Sequence, residues 1–247
     1  MASVSRIALV SDVHGNLHAL ERVLEDARAA AVDGVACLGD VCTLGPHPVE
    51  VLSLLREHAS WFIQGNHDEY MSKPELLAAH STAPVVTSAV AWCRSELDAS
   101  SHAFLQTFTA GETIELGAGV RLGLYHGSPG DNTQDVLAET PPAELDELLR
   151  GHGADVLAGG HTHVQMLRQH RGKLVVNPGS VGLPFREYIT AGAPTVLPHA
   201  EYAIVEVRQG NVSVGLRRVE LDQAALVAQS EKWGEPMARY LMQQYRQ

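Results

Sequence analysis

Residues 7–16 read Ile7-Ala8-Leu9-Val10-Ser11-Asp12-Val13-His14-Gly15-Asn16. Four consecutive apolar residues make a short buried strand. The run stops at Ser11, and an acid and an imidazole follow two residues apart. Leu17, Leu20, Leu24, Ala27 and Ala31 then recur at helical spacing, with Asn16 as the N-cap. A strand that hands polar residues to a turn and then enters a helix is the repeating unit of an α/β fold.

The same theme continues outward. Residues 34–38 form a strand ending in Gly39-Asp40, and Val49, Leu52 and Leu55 mark the next helix. Residues 61–63 form a third strand, ending in Gln64-Gly65-Asn66-His67-Asp68. This alternation predicts a largely parallel first half. From 84 to 108 the chain reads as helical, with Val86, Val90, Cys93 and Leu97 on one face. A hairpin of 113–116 and 120–125 enters His126-Gly127-Ser128-Pro129. A helix at 142–150 precedes strand 156–158, which ends in Gly159-Gly160-His161-Thr162-His163. Strand 174–176 ends in Asn177-Pro178-Gly179-Ser180. A second hairpin, 202–207 with 212–219, turns across Gly210-Asn211. Residues 221–247 read as a terminal helix with a polar tail, interrupted near Gly234 and Pro236. Residues 183–199 are a long loop with three prolines, the kind of segment that often carries function. No repeat, charge block or linker divides the chain, so residues 1–247 are expected to form one domain.

Composition narrows the classes. The 247 residues are 45% hydrophobic and 19% charged, a globular mix. A net charge of −11 provides no electrostatic reason for unspecific nucleic-acid binding, and tight duplex binding is not expected. Three cysteines, Cys37, Cys42 and Cys93, at irregular spacing are neither a disulfide framework nor a zinc ribbon. No apolar run reaches the ~18 residues of a spanning helix, and Met1 to Arg6 lacks the pattern of a signal peptide. The expectation is a cytoplasmic protein with no membrane contact. Thirteen histidines against four phenylalanines and three tryptophans point to imidazole chemistry.

Five strand ends deliver Asp12 and His14, Asp40, Asn66 and His67, His126, and His161 and His163. The carboxyl ends of strands in α/β folds are where ligands gather. Residues at i and i+2 of a strand point the same way, so Asp12 with His14, and His161 with His163, are expected to aim into one space. Imidazole plus carboxylate suits Zn, Mn, Fe or Ni and disfavours a Ca or pure Mg cage. Two Asp, one Asn and four His exceed one tetrahedral ion and suit two ions sharing a carboxylate.

This set, with Asp12-x-His14, Gly39-Asp40, Gly65-Asn66-His67-Asp68, His126 and Gly160-His161-Thr162-His163 in that order, resembles the calcineurin-like metallophosphoesterases, and most of all their small bacterial and archaeal phosphodiesterase branch. The resemblance covers roughly residues 6–181 and extends to about 219. It implies a two-layer mixed β-sandwich flanked by helices, four layers in the order αββα. It implies that Asp12, His14 and His163 hold one metal, that Asn66, His126 and His161 hold the second, and that Asp40 bridges them. The metals would be two divalent transition ions among Mn, Fe, Ni and Zn, with Mn first. His67 would not bind metal but face the substrate and assist the leaving group. A metal-bridging hydroxide would attack a small phosphate ester, such as a cyclic or simple nucleotide, in line. Arg186, in the long loop, and His47, after the Asp40 loop, are the candidates for substrate contact.

Other readings compete. Phosphomonoesterases, phosphoprotein phosphatases and dinucleoside-polyphosphate hydrolases of the same superfamily carry Arg before Gly-Asn-His, where Gln64 stands here. They also carry Asp and Arg where Thr43 and Leu44 stand, so the usual acidic partner of His67 is replaced. A non-enzymatic binding module, the use a retromer subunit makes of this scaffold, is expected where the catalytic histidine is lost, and His67 is present. A nuclease would need a basic-aromatic stripe that the chain lacks. Asp68 either orients His67 or closes its turn. Gly179, Ser180 and Gly182 either offer N–H groups to phosphate or make a tight turn. The oligomeric state is open.

Overall fold

The computed structural model describes residues 5–188, 190, 192–233 and 236–246. In β1 (Arg6–Val10) all four apolar residues are fully buried, Ile7 and Leu9 on one face and Ala8 and Val10 on the other. A strand covered on both faces needs a continuous apolar run. α1 (Leu17–Ala29) follows, and Asn16 caps it by accepting the Ala19 N–H at 3.1 Å. Next come β2 (Gly34–Cys37), α2 (Pro48–His58) and β3 (Trp61–Phe62). α3 (Asn66–Tyr70) and α4 (Leu77–His80) are short.

The helical stretch read over 84–108 is two helices, α5 (Pro84–Glu96) and α6 (Ala99–Leu105). Leu97 is extended, and Asp98 starts the second helix by accepting the Ser101 N–H at 2.7 Å. A good N-cap here overrides the apolar periodicity that runs through it. β4 (Glu112–Glu115) and β5 (Arg121–Leu124) form the expected hairpin, followed by α7 (Pro142–Leu148) and β6 (Val156–Ala158). β7 (Met166–His170) is a strand that the apolar pattern did not announce. It is an edge strand with polar Arg168 and Gln169, and it turns through Arg171 and Gly172, both with positive φ, into β8 (Lys173–Asn177). β9 (His199–Arg208) and β10 (Asn211–Glu220) are longer than read, and their turn residues are Gln209 and Gly210, one position earlier than expected. The C-terminal stretch is two helices, α8 (Gln223–Trp233) and α9 (Pro236–Tyr245); Gly234 lies outside the described residues.

Among the described residues the strands make two five-stranded mixed sheets, ordered β10-β9-β1-β2-β3 and β4-β5-β6-β8-β7. β1, β2 and β3 are parallel, as are β5, β6 and β8. Ile7, Leu9, Ala36, Ile63, Leu122, Leu124, Val156 and Val205 fill the space between the sheets. Ala8, Val10, Leu20, Leu24, Leu55 and Val90 join the outer face of the first sheet to its helices. Leu157 and Val175 join the second sheet to Leu145 of α7. This is the metallophosphoesterase fold, two sheets face to face with helices outside. A further apolar cluster ties Leu226, Met237, Leu241 and Tyr245 of the last two helices to Leu44, Ala89, Leu183 and Val196. No helix among the described residues is long and apolar enough to cross a membrane. All three cysteines are free and buried.

Candidate metal centre

The loops after β1, β2, β5 and β6, with the start of α3, converge at one edge of the sandwich. Asp12, His14 and His163 each offer one ligand atom, and these atoms lie within 4.8 Å of one another; Asp40, His126 and His161 do the same. The convergence does not come from strand pleating as expected. Asp12, His14, Asp40, His161 and His163 all lie beyond their strands, with φ of 53°, 46°, 57°, 70° and 57°. Left-handed backbone turns, which Asp and His tolerate better than β-branched residues, aim the side chains inward. Two glycines permit the close approach. At Gly39, with φ of 104°, a Cβ would lie 2.5 Å from Gly65 N, and at Gly160 it would lie 1.9 Å from Ser11 Oγ.

Three of the imidazoles are oriented from behind. Nδ1 of His126 donates to Leu38 O at 2.6 Å, Nδ1 of His163 to Leu183 O at 2.7 Å, and Nδ1 of His14 to Thr43 O at 3.2 Å. A carbonyl only accepts, so each Nδ1 carries the proton and each Nε2 faces the centre. His14 Nε2 and His163 Nε2 are 3.1 Å apart. Two such lone pairs cannot face each other at this distance unless a proton or a cation joins them. Asp40 spans both groups: Oδ1 is 3.5 Å from His126 Nε2, and Oδ2 is 3.8 Å from His14 Nε2. Asp12 Oδ2 accepts the His161 N–H at 3.1 Å, which leaves Oδ1 turned to the cluster, 3.3 Å from His163 Nε2.

Among the buried polar atoms without a hydrogen-bond partner, three belong to the expected ligands: Asp12 Oδ1, Asn66 Oδ1 and His126 Nε2. Unpaired buried donors and acceptors are costly, and here they are the atoms a cation would take. The donor set, imidazole nitrogen with carboxylate and amide oxygen, fits divalent transition metals. The charges agree. Burial raises the Asp12 carboxyl, but His163 and His126 outweigh it and hold it at about 2. Burial, helped by the neighbouring His163 and His67, drives His14 to about 3 against the upward pull of Asp40 and Asp12. At His126 burial acts downward, yet Asp40 and Asp12 raise the ring to about 10. Two buried anions thus call for positive charge between them.

His67 sits behind Asn66 in α3. Its N–H donates to Asp40 Oδ1 at 2.9 Å, and its Nδ1 is 2.8 Å from Thr43 Oγ1. Thr43, met in the sequence only as a departure from a pattern, is fully buried between His14 and His67. Asp68 closes the turn: it accepts the N–H groups of Asp40 at 2.8 Å, Val41 at 3.0 Å and Gly65 at 2.9 Å. The Gly179 to Gly182 turn is likewise internal. Gly179 N–H donates to Asn177 Oδ1, Val181 N–H to Ser11 O and Gly182 N–H to Asp12 O, and the Ser180 hydroxyl braces Asp12 O at 2.7 Å.

Among the described residues, neither substrate candidate's side chain has a hydrogen bond or ion pair to this cluster. His47 is the residue before α2; its backbone N–H meets Gly15 O, but its ring turns to Glu50, 3.7 Å away. Arg186 is exposed, and among the described residues its guanidinium makes no hydrogen bond or ion pair. Two residues not singled out from the sequence reach the cluster instead. Phe185 stacks on His163 with centroids 4.3 Å apart, and Asp135 Oδ1 lies 3.6 Å from His161 Nε2. Neither has a local signal, because both arrive from long loops.

Fold and site together define a metallophosphoesterase-type protein. Residues 6–210 match the calcineurin-like phosphoesterase superfamily domain, and the chain belongs to that superfamily. It is similar to the phosphodiesterase YfcE of Escherichia coli, 29% identical over 189 residues, which span 72% of this chain and 80% of that protein. An uncharacterized protein of Methanocaldococcus jannaschii is 26% identical over 221 residues, 83% of this chain and 87% of its own. The crystal structure of a metallophosphoesterase from Sphaerobacter thermophilus, 27% identical, superposes with a TM-score of 0.75 over 98% of both chains.

Proposed function

We propose that the chain is a dimetal-dependent phosphodiesterase acting on a small phosphate ester such as a cyclic or simple nucleotide. The observation that carries this reading is Asp40, a buried carboxylate whose two oxygens face the two ligand groups separately. In this reading Asp12, His14 and His163 hold one cation, Asn66, His126 and His161 hold the other, and Asp40 serves both. Two such cations, when bound, lower the pKa of water and neutralise phosphate oxygens. Manganese is the metal expected first. The chain is read as one domain, residues 1–247, working in the cytoplasm. Its net charge of −11 supports a small substrate over duplex nucleic acid.

His67 is the residue assigned to the leaving oxygen. Burial drives its ring to about 4, against the upward pull of Asp40, so at neutral pH it is uncharged. It therefore acts as an N–H hydrogen-bond donor and not as an imidazolium acid. Thr43 holds it: a hydroxyl donating to Nδ1 leaves the Nε2 proton free to face the substrate. The backbone N–H of His67 on Asp40 fixes the ring relative to the shared carboxylate.

Metal content by elemental analysis, measured beside hydrolysis of bis-p-nitrophenyl phosphate and p-nitrophenyl phosphate, tests the reading. About two metals per chain with the diester preferred supports it. Two metals with the monoester preferred moves the assignment to a phosphomonoesterase. No metal and no turnover after Mn, Ni or Zn reconstitution leaves a binding module.

A further inference from the structure

Asp135 stands outside both ligand groups, in the loop between β5 and α7. Its Oδ1 is 3.6 Å from His161 Nε2, and its Oδ2 accepts the Tyr188 hydroxyl at 2.5 Å. It is held firmly for a residue at the rim. On its own loop, Arg168 of β7 donates to the carbonyls of Leu137, Ala138 and Thr140. On the facing loop, Phe185 is fixed by its stack on His163 and by its N–H on His163 O at 3.0 Å. That loop is tied from outside by α9, where Gln244 accepts the Val196 N–H and the Tyr240 hydroxyl bonds Pro194 O. These helices lie beyond residue 210, where the superfamily match ends.

The charge of Asp135 is not cancelled. Among the described residues no lysine or arginine forms an ion pair with it, and its one ion-pair contact is His161. Arg186 shares the loop with Tyr188 but makes no ion pair. A carboxylate is thus fixed beside Nε2 of a candidate metal ligand, and the hydroxyl that fixes it, that of Tyr188, comes from the long loop.

We propose that Asp135, positioned by Tyr188, is a specificity-determining residue that discriminates against doubly charged phosphomonoesters and favours singly charged phosphodiesters. The proposal rests on the dimetal phosphoesterase reading above. A phosphomonoester has a second pKa near ~6 and carries two charges at pH 8, whereas a diester carries one. For a separation on the order of 8 Å and an effective dielectric near that of water, each negative charge meets a penalty of about two- to threefold in affinity, so a dianion meets about five- to tenfold.

Asp135→Asn removes the charge and keeps an oxygen to accept the Tyr188 hydroxyl. The manganese-loaded full chain is titrated with inorganic phosphate by calorimetry at pH 8, and KM is measured for both nitrophenyl esters. The expected result is phosphate binding tighter by about five- to tenfold, a similar fall in monoester KM, a diester KM lower by only about two- to threefold, and unchanged metal content. Should Asp135→Asn not fold, Tyr188→Phe frees the carboxylate to turn away, and phosphate is expected to tighten at least about twofold. Unchanged phosphate affinity, or equal shifts for both esters, overturns the proposal. Loss of metal in Asp135→Asn also overturns it, by making Asp135 a ligand. The phosphate titration needs no turnover. A parent that binds phosphate but hydrolyses neither ester sinks the hydrolase reading and leaves this one to be decided by the variant. A parent that takes up no metal and binds no phosphate sinks both.

Discussion

Thr43 Oγ1 lies 2.8 Å from His67 Nδ1 and 3.4 Å from His14 Nδ1, so one buried hydroxyl touches both the imidazole assigned to substrate and one assigned to metal. A neutral hydroxyl stands here where related phosphatases place an acid. It fixes the ring without adding charge to a cluster already built around two anions.

Thr43→Val keeps the shape and removes the hydrogen bond. Turnover of a diester is expected to fall about tenfold, with both metals retained, because His67 loses its tautomer control but stays in place. Steady-state kinetics with elemental analysis on one sample checks this; loss of metal would make Thr43 a support of His14 instead.

Asp40→Asn and His67→Ala should separate binding from chemistry. Asp40→Asn removes a charge facing both groups, so both metals and activity are lost. His67→Ala keeps the metals and loses about a hundredfold or more in kcat, the range for removing one hydrogen-bond donor aimed at developing charge. Parent-like turnover in His67→Ala would be incompatible with its assigned role.

Metal uptake should weaken as pH falls. His126 is buried, which lowers its pKa, but Asp40 and Asp12 raise it to about 10, so a proton must leave when a cation arrives. Below pH 10 each unit of acidification should cost about tenfold in affinity per proton displaced. In metal-stripped protein the sign for folding is fixed by the same raised value. The stability from protonated His126 is fully present below its ordinary 6.5 and is lost as pH rises through about 10. Calorimetric metal titration from pH 6 to 8, and urea unfolding of stripped protein at higher pH, test the two halves.

Asp26 ties α1 to the β9–β10 hairpin. Its carboxylate accepts the Tyr202 hydroxyl at 2.5 Å and Arg217 Nε at 2.9 Å. Partial burial raises its pKa, but Tyr202 and then Arg217 hold it below the ordinary 3.8. A depressed value means the stability is present above 3.8 and is lost as pH falls through the folded pKa. Asp26→Asn should therefore cost about 1 kcal/mol at pH 7, discounted for its partial exposure, with the difference closing in strong acid. Paired denaturation curves at pH 7 and pH 3 measure it.

Much of this was legible in the chain. Ile7 to Val10 read as a doubly buried strand because burial on both faces demands four apolar residues in a row. Gly39-Asp40 and Gly65-Asn66-His67 read as strand ends because the polar switch is abrupt. β7 was not legible, since an edge strand with one wet face and polar Arg168 and Gln169 has no apolar signature. The break at Leu97 was hidden because apolar spacing continues across it, and only the Asp98 cap reveals it.

The amino-acid sequence by itself determined the strand-and-helix order, the ligand inventory and the family, because these depend on local apolar patterns and on residue types at strand ends. Tertiary structure alone decided that the ligands converge through left-handed turns, that Thr43 serves His67, and that Asp135 reaches His161. Those contacts join residues 24 to 53 or more positions apart, as for Thr43 with His67 and Asp135 with Tyr188. No local preference encodes such pairings. They exist only once two sheets have packed and carried their loops to the same edge.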